Sequence, residues 1–101
     1  MNLNQLRYFV TLAETESFTK AAVAHYISQT AITQQIKSLE EAVGSKLVNR
    51  ESRPISLTPA GKVFLKEARE ILERMDTALW RTREASTGLE GSLRIGYTKG
   101  Y

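Results

Sequence analysis

The middle of this sequence predicts a helix face that can form hydrogen bonds and carries no negative charge. Four residues recur at i, i+3, i+4 and i+7: Thr30, Thr33, Gln34 and Lys37. No Asp or Glu occurs from Ser17 to Leu39. Amide and hydroxyl groups pair with base edges in the DNA major groove, where phosphate repels acidic side chains. The pattern therefore indicates contact with duplex DNA, and a solvated helix face is the alternative that spacing alone leaves open.

The composition argues against several other kinds of chemistry. The 101 residues carry a net charge of +3 and no cysteine, so neither a disulfide nor a thiolate metal site can form. The lone His25 has no partner at ligand spacing, so we expect no metal and no cofactor. The sequence has no glycine-rich phosphate loop and no convergent carboxylate pair, which argues against an enzyme. No apolar run reaches the roughly 18 residues of a membrane span, and the N-terminus lacks a signal-peptide pattern. We expect a cytoplasmic protein without membrane contact.

Three predicted helices in the first half of the chain would position the polar face. Apolar spacing predicts helices over about residues 3–14, 18–24 and 29–43. Ser28 is the candidate N-cap of the third helix and Gly44 its end. The back of this helix is apolar at Ile32, Ile36, Leu39 and Val43. Two short helices joined by a tight turn form the helix-turn-helix pattern.

A change of pattern after the third helix predicts a wing and then a long helix. Residues 46–48 and 55–57 indicate two short strands around a turn. Thr58 followed by Pro59 is a strong helix start, and helical spacing then continues to about residue 87. A glycine follows as the stop signal. The fold class is therefore mainly α: a winged helix-turn-helix with a two-stranded wing, followed by a long linker helix.

The long helix carries an apolar seam of the kind that pairs two copies of one chain. The seam steps alternately by three and four residues, at Leu65, Ala68, Leu72, Met75 and Leu79. Most of the stability of a helix comes from packing its apolar face, and a small head supplies few partners for so long a helix. We therefore expect a homodimer formed through this linker helix.

Several short segments share their order and spacing with one known family. They are Leu6–Phe9, Ser17–Ala22, Ser28–Gln29, Gln35–Glu40, Leu57–Gly61 and Gly91–Gly96, together with Arg50. In these segments the chain resembles LysR-type transcriptional regulators. The resemblance implies a winged helix-turn-helix that binds double-stranded DNA, a dimerising linker helix and a larger effector-binding domain. It further implies a small-molecule effector that acts only through that last domain, and a homotetramer for a longer form of the protein.

The resemblance divides the chain into three predicted parts. Residues 1–58 form the winged head, residues 59–88 form the linker helix, and residues 89–101 begin a truncated effector-binding domain. The stretch from Ser92 to Tyr97 alternates like the first strand of such a domain. A frayed C-terminus is the alternative that this pattern leaves open.

The resemblance also implies which side chains meet DNA. The helix from Gln29 lies in the major groove, with a groove-facing set of Gln29, Thr30, Thr33, Gln34 and Lys37, and Lys37 favours phosphate. Candidates for further phosphate contacts, with capping or packing as alternative roles, are Thr19, Ser28 and Gln35. On the wing, backbone or minor-groove contacts are implied for Arg50, Arg53 and Pro54, and holding the loop is the alternative for Arg50. Gln34 stands where many family members have Arg, and Gln favours adenine where Arg favours guanine.

Two other function classes remain open from the sequence. A protein-interaction module could use the same helices without DNA, and its binding would be insensitive to salt. A small enzyme is the more distant alternative because the residues needed for catalysis are missing.

Overall fold

The computed structural model describes residues 1–87, which form four helices and one two-stranded antiparallel sheet. In chain order the elements are α1 (Leu3–Thr15), α2 (Phe18–Ala24), α3 (Gln29–Val43), β1 (Val48–Asn49), β2 (Ser56–Leu57) and α4 (Pro59–Thr87). This is the predicted winged helix-turn-helix with a long helix after the wing. The predicted stop at Gly88 and the strand within residues 89–101 lie outside the described residues.

Side-chain caps fix where the helices of the head begin. Asn2 and Gln5 form a reciprocal box at the start of α1, in which each side-chain oxygen accepts the other residue's backbone N–H, at 2.9 and 3.3 Å. Ser17 and Ser28 each accept the N–H three residues further on, at 3.1 and 3.0 Å. Gly44 ends α3 with a φ of 85°, a left-handed conformation that favours glycine. The predicted cap and end of α3, Ser28 and Gly44, are confirmed.

The core lies where α1, α2 and α3 meet and α4 crosses them. Its largest fully buried side chains are Phe9, Leu12, Ile32, Ile36, Leu39 and Leu47. Ala21 and Ala22 are buried on α2, and such small side chains let the helix approach its neighbours closely. Helix α4 closes the core, because Ala68 is buried there and the Phe64 ring lies 5.6 Å from the ring of Phe9.

The first wing strand begins later than the sequence predicts. Val48 pairs with Leu57 across the two strands, whereas the predicted strand starts at Lys46. The N–H groups of Leu47 and Val48 instead donate to one carboxylate oxygen of Glu40, at 2.8 and 3.1 Å. The segment entering the wing is therefore held by α3 rather than by a partner strand.

The start of α4 passes very close to the segment that enters the wing. Gly61 is buried, and a Cβ at this position would collide with the carbonyl oxygen of Leu47 and lie 3.2 Å from the Cβ of Leu57. Thr58 caps the helix by accepting the N–H of Gly61 at 3.0 Å, and its hydroxyl donates to the Lys46 carbonyl at 2.7 Å. The helix can lie against the wing because residue 61 has no side chain.

Candidate nucleic-acid interface

One side of α3 presents an exposed polar surface. We call this surface the α3 front, and its members are Gln29, Thr30, Thr33, Gln34 and Lys37. All are exposed except Thr33, which is half-buried, while Ile32 and Ile36 behind them have no exposed surface. No acidic residue occurs in α3 before Glu40. The α3 front therefore offers amide, hydroxyl and ammonium groups with a net positive charge, which suits an anionic partner.

A hydrogen bond from α2 reaches the first residue of the α3 front. The hydroxyl of Thr19 donates to Oε1 of Gln29 at 3.0 Å, and both side chains are exposed. Among residues 1–87, the Nε2 group of Gln29 has no hydrogen-bond partner. Its two N–H donors are therefore available to a ligand, while its oxygen, which has two lone pairs, uses one of them in the bond from α2.

The two other residues predicted for phosphate contacts also have partners inside the protein. Ser28 is exposed, and its oxygen caps α3 by accepting the N–H of Ala31, which leaves its hydroxyl hydrogen available. Gln35 is half-buried and accepts from Nε2 of the buried Gln5 at 2.9 Å. This bond joins α3 to α1 and favours the packing role for Gln35.

The wing turn displays one arginine at its tip. Arg53 and Pro54 are exposed. Nη1 of Arg53 donates to the carbonyl oxygens of Arg50 and Ser52, at 2.6 and 2.9 Å. Ser52 braces the turn, because its hydroxyl lies 3.0 Å from the carbonyl oxygen of Pro54. The Arg53 guanidinium is thus held against the turn while its side chain stays open to solvent.

Arg50, in contrast, is tied into the head by a buried carboxylate. Its Nη1 lies 3.2 Å from Oε1 of Glu40, and the two side chains are 27% and 5% exposed. The guanidinium carbon also lies 5.4 Å from the centre of the Phe18 ring. This geometry favours the loop-holding role for Arg50.

Sequence reasoning missed the role of Glu40. Its carboxylate accepts two backbone N–H groups and the Arg50 guanidinium, which offsets the cost of burying a charge. A signal was present in the sequence, since Glu40 lies four residues after Ile36 and so falls on the apolar side of α3. A carboxylate on a buried helix face requires partners inside the protein.

The single histidine packs within the head. Nε2 of His25 lies 2.8 Å from the Thr11 hydroxyl, and the imidazole meets the Tyr8 ring edge-on at 4.9 Å between centres.

Within residues 1–87, no group of three or more His, Cys, Asp or Glu side chains could hold a metal ion. In the same part of the chain, no helix combines the length and apolar character of a membrane span.

Helix α4 has two different environments along its predicted seam. Ala68 is fully buried in this single chain, and Leu65 and Leu72 pack against the same core. Further along, Met75 is half-buried and Leu79 is 45% exposed. Ala68 is therefore removed from the predicted dimer surface, because it is already buried in the core of the head. Ile71 and Trp80 add to the exposed apolar surface of α4, at 43% and 39%.

A family description and several proteins match this chain. The model of the family described as bacterial regulatory helix-turn-helix protein, lysR family, matches residues 3–62. The transcriptional regulator BudR of Klebsiella aerogenes is 48% identical over 98 residues, covering 97% of this chain and 68% of BudR. The regulator YnfL of Escherichia coli K12 is 44% identical over 97% of this chain, which spans only 33% of YnfL. The names of both relatives agree with the prediction of a regulator rather than an enzyme.

A solved complex with DNA has the same fold. The crystal structure of the BenM_DBD/catB site 1 DNA complex superposes with a TM-score of 0.85 at 41% sequence identity. The match covers 87% of this chain and 95% of that one. A fold that matches 87% of this chain has therefore been crystallised in complex with DNA.

Proposed function

This chain belongs to the lysR family of bacterial regulatory helix-turn-helix proteins, which are DNA-binding transcriptional regulators, and we propose how it engages its site. The α3 front enters the major groove and reads base edges. Arg53 on the wing enters the adjoining minor groove. The protein acts in the cytoplasm as the DNA-binding and dimerising part of a regulator.

The observation that carries this proposal is the exposed, carboxylate-free α3 front backed by fully buried Ile32 and Ile36. Because its back is fixed in the core, the helix presents amide and hydroxyl groups in a defined register. Gln29, Thr30, Thr33 and Gln34 are the candidates for base edges, and Lys37 is the candidate for phosphate. Ser28 adds a hydroxyl donor at the N-terminus of α3, where the helix dipole favours an anion.

The wing supplies the second contact in this proposal. Arg53 is the exposed cation of the turn, and Pro54 beside it is exposed as well. A narrow, A/T-rich minor groove concentrates negative potential and so favours an inserted guanidinium. Arg50 contributes indirectly, because its pairing with Glu40 fixes the wing against α3.

Dimerisation through the second half of α4 completes the proposal. The head buries Ala68 and partly buries Leu65 and Leu72, so the surface left for a second chain centres on Met75 and Leu79. Two heads joined in this way would read a dyad-related site with a fixed half-site spacing.

Residues 1–58 bind DNA, 59–88 dimerise and 89–101 begin an effector-binding domain. In a longer form, that domain would bind a small molecule and support a homotetramer.

The test is a binding titration of the 101-residue chain on duplexes selected from a random pool and on an unselected control duplex. Lys37→Ala should weaken binding to both duplexes alike and reduce the salt slope by about one unit, because a phosphate contact is lost. Gln34→Ala should cost about 1–3 kcal/mol on the selected duplex and little on the control. Lys66→Ala is the matched control, since it removes the same charge from the exposed side of α4.

Three outcomes would contradict the proposal. If the chain selects no duplex from the pool, the proposal that it reads a DNA sequence is wrong. Equal losses on both duplexes for Gln34→Ala would place that residue off the base edges. Salt-insensitive binding to a protein, with no affinity for duplex DNA, would support the interaction-module alternative.

A further inference from the structure

The Arg50 guanidinium has two contacts inside the head, one with a carboxylate and one with an aromatic ring. Its Nη1 group donates to both carboxylate oxygens of Glu40, at 3.2 and 3.4 Å. The Nε and Nη2 atoms are buried, and no described residue accepts a hydrogen bond from either of them. The guanidinium carbon lies over the Phe18 ring, 5.4 Å from its centre. Hydrogen bonds therefore engage one of the three guanidinium nitrogens, and the ring adds a second contact to the cation.

We propose that Phe18 is a positioning residue for the wing, an inference that rests on the proposed minor-groove contact of Arg53. The face of an aromatic ring attracts a cation within about 6 Å of its centre, and loss of water from the cation strengthens the attraction. Burial of Nε and Nη2 removes water from part of the Arg50 cation. The Arg50 side chain is 27% exposed, so an extended position in solvent is open to it. Phe18 favours the inward position, because it offsets part of the cost of burying the two N–H groups.

The backbone of Arg50 carries this effect to the wing tip. Phe18 is the first residue of α2, Glu40 lies on α3, and Arg50 directly follows β1. The guanidinium thus joins the wing turn to two helices of the head. The carbonyl oxygen of Arg50 accepts from Nη1 of Arg53 at 2.6 Å, so the tip guanidinium follows the position of Arg50. Phe18 acts on DNA through these two arginines and does not itself touch the duplex.

A double-mutant cycle in urea, at one protein concentration, tests the contact between Phe18 and Arg50. Phe18→Leu removes the ring and keeps an apolar side chain, whereas Arg50→Met removes the cation and keeps a long apolar stem. The equilibrium constant for unfolding should rise more on Phe18→Leu when Arg50 is intact than in the Arg50→Met background, by about threefold or more. Phe18→Tyr retains the ring and should remain close to the unmodified chain.

The matched control is Phe64→Leu. Phe64 is also partly buried in the head, but its ring lies against the ring of Phe9 and not against a cation. The same substitution at this position should destabilise the fold equally with intact Arg50 and in the Arg50→Met background.

DNA binding then tests the effect on the wing. The quantity measured is the ratio of affinities for two duplexes that share the selected site and have A/T-rich or G/C-rich flanks. Phe18→Leu should shift this ratio towards the value for Arg53→Ala, because the tip guanidinium is no longer held in place. Phe18→Tyr and Phe64→Leu should keep the ratio of the unmodified chain. Partial unfolding lowers both affinities alike and leaves the ratio unchanged, so this measurement separates positioning from stability.

Two outcomes would overturn the inference. One is an equal effect of Phe18→Leu on unfolding in both Arg50 backgrounds, which would show that the ring does not hold the cation. The other is an unchanged flank ratio in Phe18→Leu when Arg53→Ala changes it. If the unmodified chain and Arg53→Ala have the same ratio, the proposed minor-groove contact fails, while the cycle in urea still decides whether Phe18 holds Arg50. Circular dichroism checks that each variant is folded, and Phe18→Met replaces Phe18→Leu if the latter is not.

Discussion

Removing the Glu40 carboxylate should be far more damaging than removing its neighbour on the same helix. Glu40 is 5% exposed and accepts the N–H groups of Leu47 and Val48, whereas Glu41 is exposed. Glu40→Ala leaves both N–H groups without a partner in the segment that enters the wing. Glu41→Ala removes the same chemical group from the same helix, but this carboxylate is exposed, so no buried group loses a partner. The two substitutions form a matched pair.

The size of the effect follows from the partners of the carboxylate. Each buried N–H left without an acceptor costs about 1–3 kcal/mol. Arg50 also loses its carboxylate, and this adds to the cost because its Nε and Nη2 atoms are buried without a hydrogen-bond partner among the described residues. Alanine recovers less than about 1 kcal/mol through its helix propensity. We expect Glu40→Ala to lower the free energy of unfolding by about 2–5 kcal/mol, and Glu41→Ala to change it by no more than about 0.5 kcal/mol.

Urea unfolding followed by circular dichroism measures both values, at one protein concentration because the proposed dimer would add to stability. A second measurement tests the placement of the wing: the affinity for duplexes whose flanks are A/T-rich or G/C-rich. Glu40→Ala should lose the preference for A/T-rich flanks, because Arg53 is no longer held in place. If Glu40→Ala and Glu41→Ala unfold at the same urea concentration, the carboxylate is not the structural link described above.

Three further predictions concern α4 and the wing tip. Gly61→Ala should lower the free energy of unfolding, measured with urea, by about 1–3 kcal/mol, because the added methyl group collides with the Leu47 backbone. Arg53→Ala should lower affinity most on duplexes with A/T-rich flanks, and an equal loss on all duplexes would make Arg53 a phosphate contact. Leu79→Lys should give a monomer in sedimentation, whereas Val63→Lys, on the opposite side of α4, should remain dimeric; a dimeric Leu79→Lys protein would contradict the proposed interface.

Most of the fold could be predicted because local signals agreed with the apolar pattern. Ser17, Ser28 and Gly44 mark helix ends through their own side chains or backbone preference, and each lies where the structure ends or begins a helix. The wing was harder, because its strands have two residues each and carry little periodicity. Its first strand depends on Glu40, eight residues before Val48 in sequence. No short sequence pattern predicts a contact between a helix side chain and the backbone of a later segment.

The exposed face of the candidate site could be predicted from the sequence, whereas its hydrogen bonds could not. Helical spacing separates the α3 front from Ile32 and Ile36 without any knowledge of the neighbouring helices. It does not say that Gln35 would bond Gln5, or that Thr19 would bond Gln29, because these partners lie 30 and 10 residues away. Such pairs depend on how α1 and α2 dock against α3.

The apolar seam of α4 shows why periodicity identifies a buried face without identifying its partner. One continuous stripe runs along the helix, yet Ala68 is buried in the core of the head while Leu79 remains exposed. The stripe changes from buried to exposed at the point where α4 extends beyond the head. Because a single helix is both part of the core and the proposed dimer surface, no flexible joint separates the head from its partner. The spacing between two heads is then set by the rigidity of α4, and the half-site spacing on DNA follows from that geometry.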